Sequence, residues 1–379
     1  MRDPIDPDVS ARIDVLRTIL IGLIVLCHGG RWIGATVPFA GPGVTFSLTM
    51  VNRGFDCVAV PLFFAISGYL LLRKLEATPT AYWRLLRTKA LAIGIPFIIF
   101  NAIWIAWVLF VGSIPQFGGR SFVLQAGIVQ KLLGIGTSPM NYPLWFLRDL
   151  LIVFVCAPVF LVFFRRMPSL GLALLGLAWF LESPGAEYSL AGFGFAFYAG
   201  GYLARRRANL RDTAGWDKYV LPLFGLASVV VGAQPWLFSD PYALAAFKKV
   251  YQIIGVAAFW CLSRQGWIKH SPVLHRVAAM SFFIFLTHEP TVSVLQSELA
   301  RLWQPAGFVS QLVAYPLVGL TAMALLSGLG WGLAKLAPRL FAVLTGAPPR
   351  LRFARPEPVR QPLSQAGMAA AGLGAESEK

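Results

Sequence analysis

The sequence predicts an all-α fold: a polytopic membrane helical bundle of about ten transmembrane helices, with the N- and C-termini both cytoplasmic. Three observations lead there. Hydrophobic residues make up 57% of the 379 and charged residues only 13%, roughly half the charged share usual in soluble domains. Apolar runs follow one another so closely that no separate water-soluble domain fits between them. The 33 Lys and Arg residues also alternate between rich and poor connecting segments, as the positive-inside rule requires.

Taken in order, the expected spans are 13–30, 56–73, 90–112, 143–164, 169–182, 188–204, 217–233, 246–263, 277–297 and 308–334. The polar segment 1–12 precedes them, and no small-residue cleavage site follows the first run, which therefore reads as a retained anchor. The fifth run is shorter than the about 17 residues needed to cross, and the sixth is short and rich in Gly, so the two are expected to cross or dip together. The longest outer stretches are 31–55 and 113–142, the second holding SFVLQAGIVQKLLGIG as an expected interfacial amphipathic helix. Three regions result: a cytoplasmic segment 1–12, a transmembrane domain 13–338 and a tail 339–379. The tail's Pro, Ser and Glu content and lack of apolar period predict disorder.

The net charge of +16 would raise the question of nucleic acid in a soluble chain. Here the cytoplasmic bias of basic residues accounts for it, and the expected partner is the lipid bilayer. Cys27, Cys57, Cys156 and Cys261 show no paired spacing and read as buried thiols, with a Cys27–Cys57 disulfide as the alternative. No His, Cys, Asp or Glu cluster has metal-ligand spacing, and no permanently bound cofactor is expected.

Ionisable residues inside a bilayer are costly, so each is a candidate for function. The run RIDVLRTILIGLIVLCHGG carries Asp14, Arg17 and His28. The interval from Arg17 to His28 is close to three helical turns, so both leave one face about 16 Å apart. Asp14 lies one turn before Arg17 and is expected to pair with it. His28 lies at the outer mouth, where an imidazole, the side chain type able to take a proton near neutral pH, suits general-base work on a hydroxyl. The plainer reading has Arg17 snorkelling and His28 bonded to a loop carbonyl.

Arg84 and Arg87, three apart, can present two guanidinium groups to phosphates, although the positive-inside rule accounts for them too. Ser67 beside Gly68 admits an acyl-carrying nucleophile or close helix packing, and the lack of a GxSxG elbow favours packing. Arg148 and Asp149 read equally as a charge-stabilising pair or a structural anchor. His288 and Glu289, mid-span in the ninth run, read as a site pair or as a histidine bonded to a neighbouring helix. Trp32, Trp145, Trp236 and Trp303 fit an aromatic belt, with a sugar-stacking platform as the alternative. The stretch GFGFAFYAGG at 192–201 neither follows a strand nor opens a helix outside an apolar run, and is not a nucleotide site.

These elements together resemble the acyltransferase-3 family of membrane acyltransferases. Arg17, ten residues, then His28, with Asp14 before them, is similar to the family's first-span signature. VPLFFAISGYLL, with Phe63, Phe64, Ser67, Gly68 and Tyr69, resembles its FFxxSG[FY] element, and Arg84-x-x-Arg87 its RxxR element. PLWFLRDLL at 143–151 and FFIFLTHEP at 282–290 resemble later spans, and the likeness runs from about residue 11 to about residue 338.

The resemblance implies transfer of an acyl group, commonly acetyl or succinyl, from cytoplasmic acyl-CoA to a saccharide or exopolysaccharide hydroxyl. The acceptor would stand at the periplasmic face of a bacterial inner membrane, beside polysaccharide synthesis or export machinery. Acetyl-CoA or succinyl-CoA is then a donor substrate held by Arg84, Arg87 and Arg17. His28 is the base, Arg148 an oxyanion donor, and His288 and Glu289 are site candidates. A transporter or flippase for a lipid-linked saccharide is the rival; the absence of an internal repeat tells against it.

Overall fold

Proline and small polar caps set the helix starts. Pro7, Pro42, Pro79, Pro168, Pro241, Pro272 and Pro338 each open a helix, where a missing N–H costs nothing and φ is already helical. Asp6, Ser189, Asp240 and Ser271 cap the first turns by accepting from the N–H groups of Asp8, Gly192, Tyr242 with Ala243, and Leu274. The structure, a computed structural model, describes residues 5–74, 78–111, 123, 125–185, 189–206, 208–211, 213 and 215–346.

Among the described residues, fourteen helices of six or more residues frame the chain. They are α1 (Pro7–Gly30), α2 (Pro42–Lys74), α3 (Pro79–Phe110), α4 (Ile128–Leu133), α5 (Trp145–Val155), α6 (Ala157–Arg166), α7 (Pro168–Phe180) and α8 (Leu190–Arg205). Then follow α9 (Asp217–Leu237), α10 (Pro241–Leu262), α11 (Pro272–Ala278), α12 (Ser281–Leu302), α13 (Phe308–Leu336) and α14 (Pro338–Thr345). Among the described residues the extended pairing is limited to an isolated bridge between Ile33 and Val37. The chain is all-helical, as expected.

Each expected span falls on a helix or a broken helix pair, but the count differs. Among the described residues, α2, α3, α9, α10 and α13 are each long and apolar enough to cross a bilayer, and two bent pairs bring the number to as many as seven. The pairs are α5 with its preceding turn against α6, bent by 49°, and α11 against α12, bent by 76°. Thus the runs 143–164 and 277–297, expected as single spans, are interrupted. Helices α7 and α8 have 13 and 16 residues, short as expected.

Other boundaries also move. Helix α2 begins at Pro42, so residues 42–55, expected in an outer loop, are helical. Arg84 and Arg87 lie on α3, ahead of and continuous with its apolar run. Of the expected amphipathic helix at 121–136, Val123, Gln125, Ala126 and Ile128–Leu133 are helical, and residues 121, 122 and 124 lie outside the described ones. Residues 339–345, expected within a disordered tail, are instead helical in α14, where Phe341 is buried beside Phe283, ring centroids 5.9 Å apart. The rest of that expectation, 347–379, lies outside the described residues.

Small residues bring the helices together. A Cβ on Gly68 would overlap the Phe197 carbonyl, and one on Gly200 the Ala65 carbonyl. Helices α2 and α8 therefore touch backbone to backbone, which is what small residues permit in a bilayer. This supports the packing reading of the Ser67–Gly68 motif and gives 192–201 its purpose. Similarly, Gly29 of α1 meets Gly319 of α13, and Gly30 meets the Tyr315 ring.

Arg12, at the end of the segment expected to be cytoplasmic, is fully buried. It donates to Ser263 Oγ, Leu210 O and Trp260 O at 3.0, 2.9 and 2.7 Å, with its guanidinium 4.1 Å from the Trp260 ring centre. These bonds tie the start of α1 to the end of α10. The cysteine reading holds for Cys27 and Cys57, buried thiols that donate to Val51 O and Gly54 O. Cys156 differs: it is exposed at the break between α5 and α6.

Gly200→Val should overpack the α2–α8 contact and destabilise by about 1–3 kcal/mol or more, read as a lowered unfolding temperature in detergent. Ser67→Ala should leave that temperature nearly unchanged.

Candidate active site

Helix α12 carries Thr-His-Glu-Pro near its start, and Pro290 shapes it. A proline inside a helix has no N–H to offer the carbonyl four residues back and its ring pushes against it. That carbonyl belongs to Leu286. It accepts instead from Asn141 Nδ2 at 2.9 Å, and the Asn141 N–H in turn donates to Asn101 Oδ1 at 2.9 Å. His288 and Glu289 thus sit just before a supported irregularity.

Across from them the end of α1 presents His28. Its Nδ1–H donates to Glu289 Oε2 at 2.5 Å, with both side chains nearly buried. Gln296, two turns further along α12, donates from Nε2 to the carbonyls of His28 and Gly29 at 2.7 and 3.1 Å. Carbonyls run short of donors at a helix end, and the His28 carbonyl otherwise accepts from the Arg31 N–H at 3.3 Å, so one amide both caps α1 and locks it to α12. With Nδ1 committed to the carboxylate, His28 carries its lone pair on Nε2. This is the arrangement of a base oriented by an acid. The reading of His28 as a residue bonded to a loop carbonyl does not hold.

His288 is fully buried beside this pair, its ring centre 5.2 Å from that of His28 in an edge-on contact. Its Nδ1–H donates to Phe285 O at 2.8 Å, while Nε2 finds no partner among the described residues. Phe285 links the pair to an aromatic cluster. Phe146 of α5 lies 5.8 Å from Phe285 and within 5.6 and 5.2 Å of Phe63 and Phe64 of α2, centroid to centroid. The FFxxSG element and PLWFLRDLL therefore converge beside the histidines.

The remaining candidates lie apart from this centre. Asp14 and Arg17 form an ion pair at 3.8 Å, about half exposed, on the same unbroken helix as His28. Arg84 and Arg87 are exposed on the first turns of α3, and among the described residues none of their contacts joins them to Arg17. Arg148 has two bonds: Nε to Asp149 Oδ1 at 2.7 Å and Nη1 to Gly134 O at 2.5 Å. This supports its anchoring role, and Nη2 is left for another partner. Gly134 has φ of +68°, a left-handed turn that glycine allows. Trp32 is buried and Trp145 stacks at 5.4 Å on Phe193, while Trp236 is exposed, so the expected aromatic belt covers only part of this group.

The donor atoms of His28, His288 and Glu289 lie within 4.8 Å of one another, close enough to share a metal ion. The expectation of no metal-ligating cluster missed this set because its members come from helices distant in sequence, beyond any spacing rule. As arranged, two of the donors are bonded to each other, and the third set of lone pairs is His288 Nε2. Sequence reasoning also missed Asn101, Asn141 and Gln296. The signal for Asn141 was present in Pro290, which announces a carbonyl in need of a donor.

Residues 10–331 match a family model described as an acyltransferase domain, that of acyltransferase-3. The chain is 29% identical over 361 residues to the succinoglycan biosynthesis protein ExoH of Rhizobium meliloti strain 1021, covering 90% of this chain and 93% of that protein. No solved structure matches.

Arg148→Ala should free the turn at Gly134 by removing charge-assisted bonds that contribute about 2 kcal/mol. Limited proteolysis should then cut between Leu133 and Asn141 faster than in wild type.

Proposed function

The chain belongs to the acyltransferase-3 family, and from that premise we propose that it is an O-acyltransferase using cytoplasmic acyl-CoA to acylate a saccharide or exopolysaccharide hydroxyl at the periplasmic face of a bacterial inner membrane. An acyl-transferring membrane enzyme follows from the family and the apolar helices. Likeness to a succinoglycan biosynthesis protein supports a polysaccharide acceptor, and acetyl or succinyl is the group proposed. The observation that carries the chemistry is the His28–Glu289 bond.

In the proposed reaction the acceptor hydroxyl donates to His28 Nε2. As its proton moves to that nitrogen, the oxygen attacks the thioester carbonyl, and Glu289 stabilises the imidazolium that forms. The tetrahedral intermediate then expels sulfur: the C–S bond breaks, and the proton on Nε2 passes to the departing thiolate to give free coenzyme thiol. The ester oxygen remains on the saccharide.

Arg84 and Arg87 supply a forked pair of guanidinium groups for coenzyme phosphates, and Arg17, paired with Asp14 on α1, would add a third. The exposure of both arginines on α3 suits a soluble donor. The pantetheine arm would then run the about 16 Å from Arg17 to His28.

The deciding experiment reconstitutes the full chain in proteoliposomes with radiolabelled acyl-CoA and a saccharide acceptor, and follows label into saccharide. Wild type should transfer label. His28→Asn, whose amide can still donate to Glu289 but cannot act as base, should fold normally and lose at least about 10²-fold in rate. Movement of saccharide without labelling would instead support a flippase. Arg84→Ala and Arg87→Ala should weaken coenzyme binding by calorimetry, and Lys in either place should weaken it less than Ala. Unchanged affinity would return both to membrane topology alone.

A further inference from the structure

Asn101 and Asn141 are fully buried amides in a chain built for an apolar solvent. Asn101 Nδ2 donates to Phe97 O at 2.9 Å, one turn back in α3, which fixes its Oδ1 to receive the Asn141 N–H. Asn141 opens the turn leading into α5, and the Leu144 N–H donates to its carbonyl at 3.0 Å. Its side-chain amide then reaches α12 at Leu286 O. A buried polar chain therefore runs from α3 through the α5 entrance to the helix that carries Glu289.

The carbonyl it reaches is not arbitrary. Within α12, Pro290 is the residue whose N–H would have bonded Leu286 O, and no water is at hand in a bilayer core to replace it. An unmet carbonyl there costs free energy that the helix can lower by shifting or unwinding around residues 286–290. Glu289 lies inside that stretch. Any shift moves Oε2 relative to His28, and displacements near 1 Å at a reacting centre can cost about 10²-fold in rate.

We propose that Asn141 is a positioning residue for acyl transfer: by donating to the carbonyl that Pro290 leaves open, it holds Glu289 in register with His28. This rests on the reading of the His28–Glu289 pair as the general base. Asn101 steadies Asn141 from behind. The role belongs to the amide nitrogen, since Asn141 Oδ1 has no partner among the described residues.

The test uses the full chain in proteoliposomes with four variants: wild type, Asn141→Leu, Pro290→Ala and the double substitution. Alanine at 290 restores an N–H for Leu286 O, so the helix no longer needs an outside donor. Asn141→Leu should lower the unfolding temperature by several degrees beside Pro290 and by little beside alanine. In the Pro290 background it should also lower kcat at least tenfold while leaving KM for acyl-CoA within twofold.

Equal thermal losses in both backgrounds would show that Asn141 does not act through the Leu286 carbonyl. A thermal loss with unchanged kcat would reduce it to a structural contact and overturn the proposal. A wild-type chain that transfers no acyl group would refute the proposed function, and the positioning role with it, whatever the thermal cycle shows. That control separates the two failures.

Discussion

The contact between His28 and Glu289 is the constraint around which the rest is arranged. A carboxylate with little water around it is tolerated only when paired, and breaking a buried pair typically costs about 3–5 kcal/mol. The pair joins α1 to α12, helices separated by most of the chain, and so it requires both to be held within a narrow distance. Gln296 bonds the last carbonyls of α1 to α12. Gly29 against Gly319 sets how closely α13 approaches behind them. At the opposite end, buried Arg12 fastens α1 to α10.

This dependence explains the irregularities in the bundle. A straight α12 would satisfy its own backbone, but Pro290 prevents that and the 76° break before Ser281 redirects the chain. Both irregularities flank the site residues. Irregular backbone at bilayer depth persists only where other protein groups satisfy it, and Asn141 does so here. The aromatic contacts of Phe146 with Phe63, Phe64 and Phe285 bring three sequence motifs to one place.

Much of this was legible in the residues. Helical class followed from composition, and the family's motifs were visible in order. His28 and Glu289 were both singled out because an ionised group in an apolar run has no cheap structural reason. Their union was not legible, since helix periodicity relates residues on one helix and says nothing of which face meets a distant one. Two interruptions within expected spans were hidden for a related reason. Hydropathy sees 143–164 and 277–297 as continuous apolar runs, whereas Cys156–Ala157–Pro158 and Ala279–Met280 break them. The burial of Arg12 was not legible, because the positive-inside rule treats a basic residue as solvated, whereas three bonds to Ser263, Leu210 and Trp260 hold this one inside.

The most direct measurement of the central claim is a double-mutant cycle on kcat in proteoliposomes, with His28→Asn, Glu289→Gln and the two together. If the imidazole and carboxylate act as one base, each single change costs at least about 10²-fold and the double is no slower than the slower single. Losses that multiply, or a Glu289→Gln enzyme with wild-type turnover, would contradict the account, because the two residues would then not be working through a shared bond.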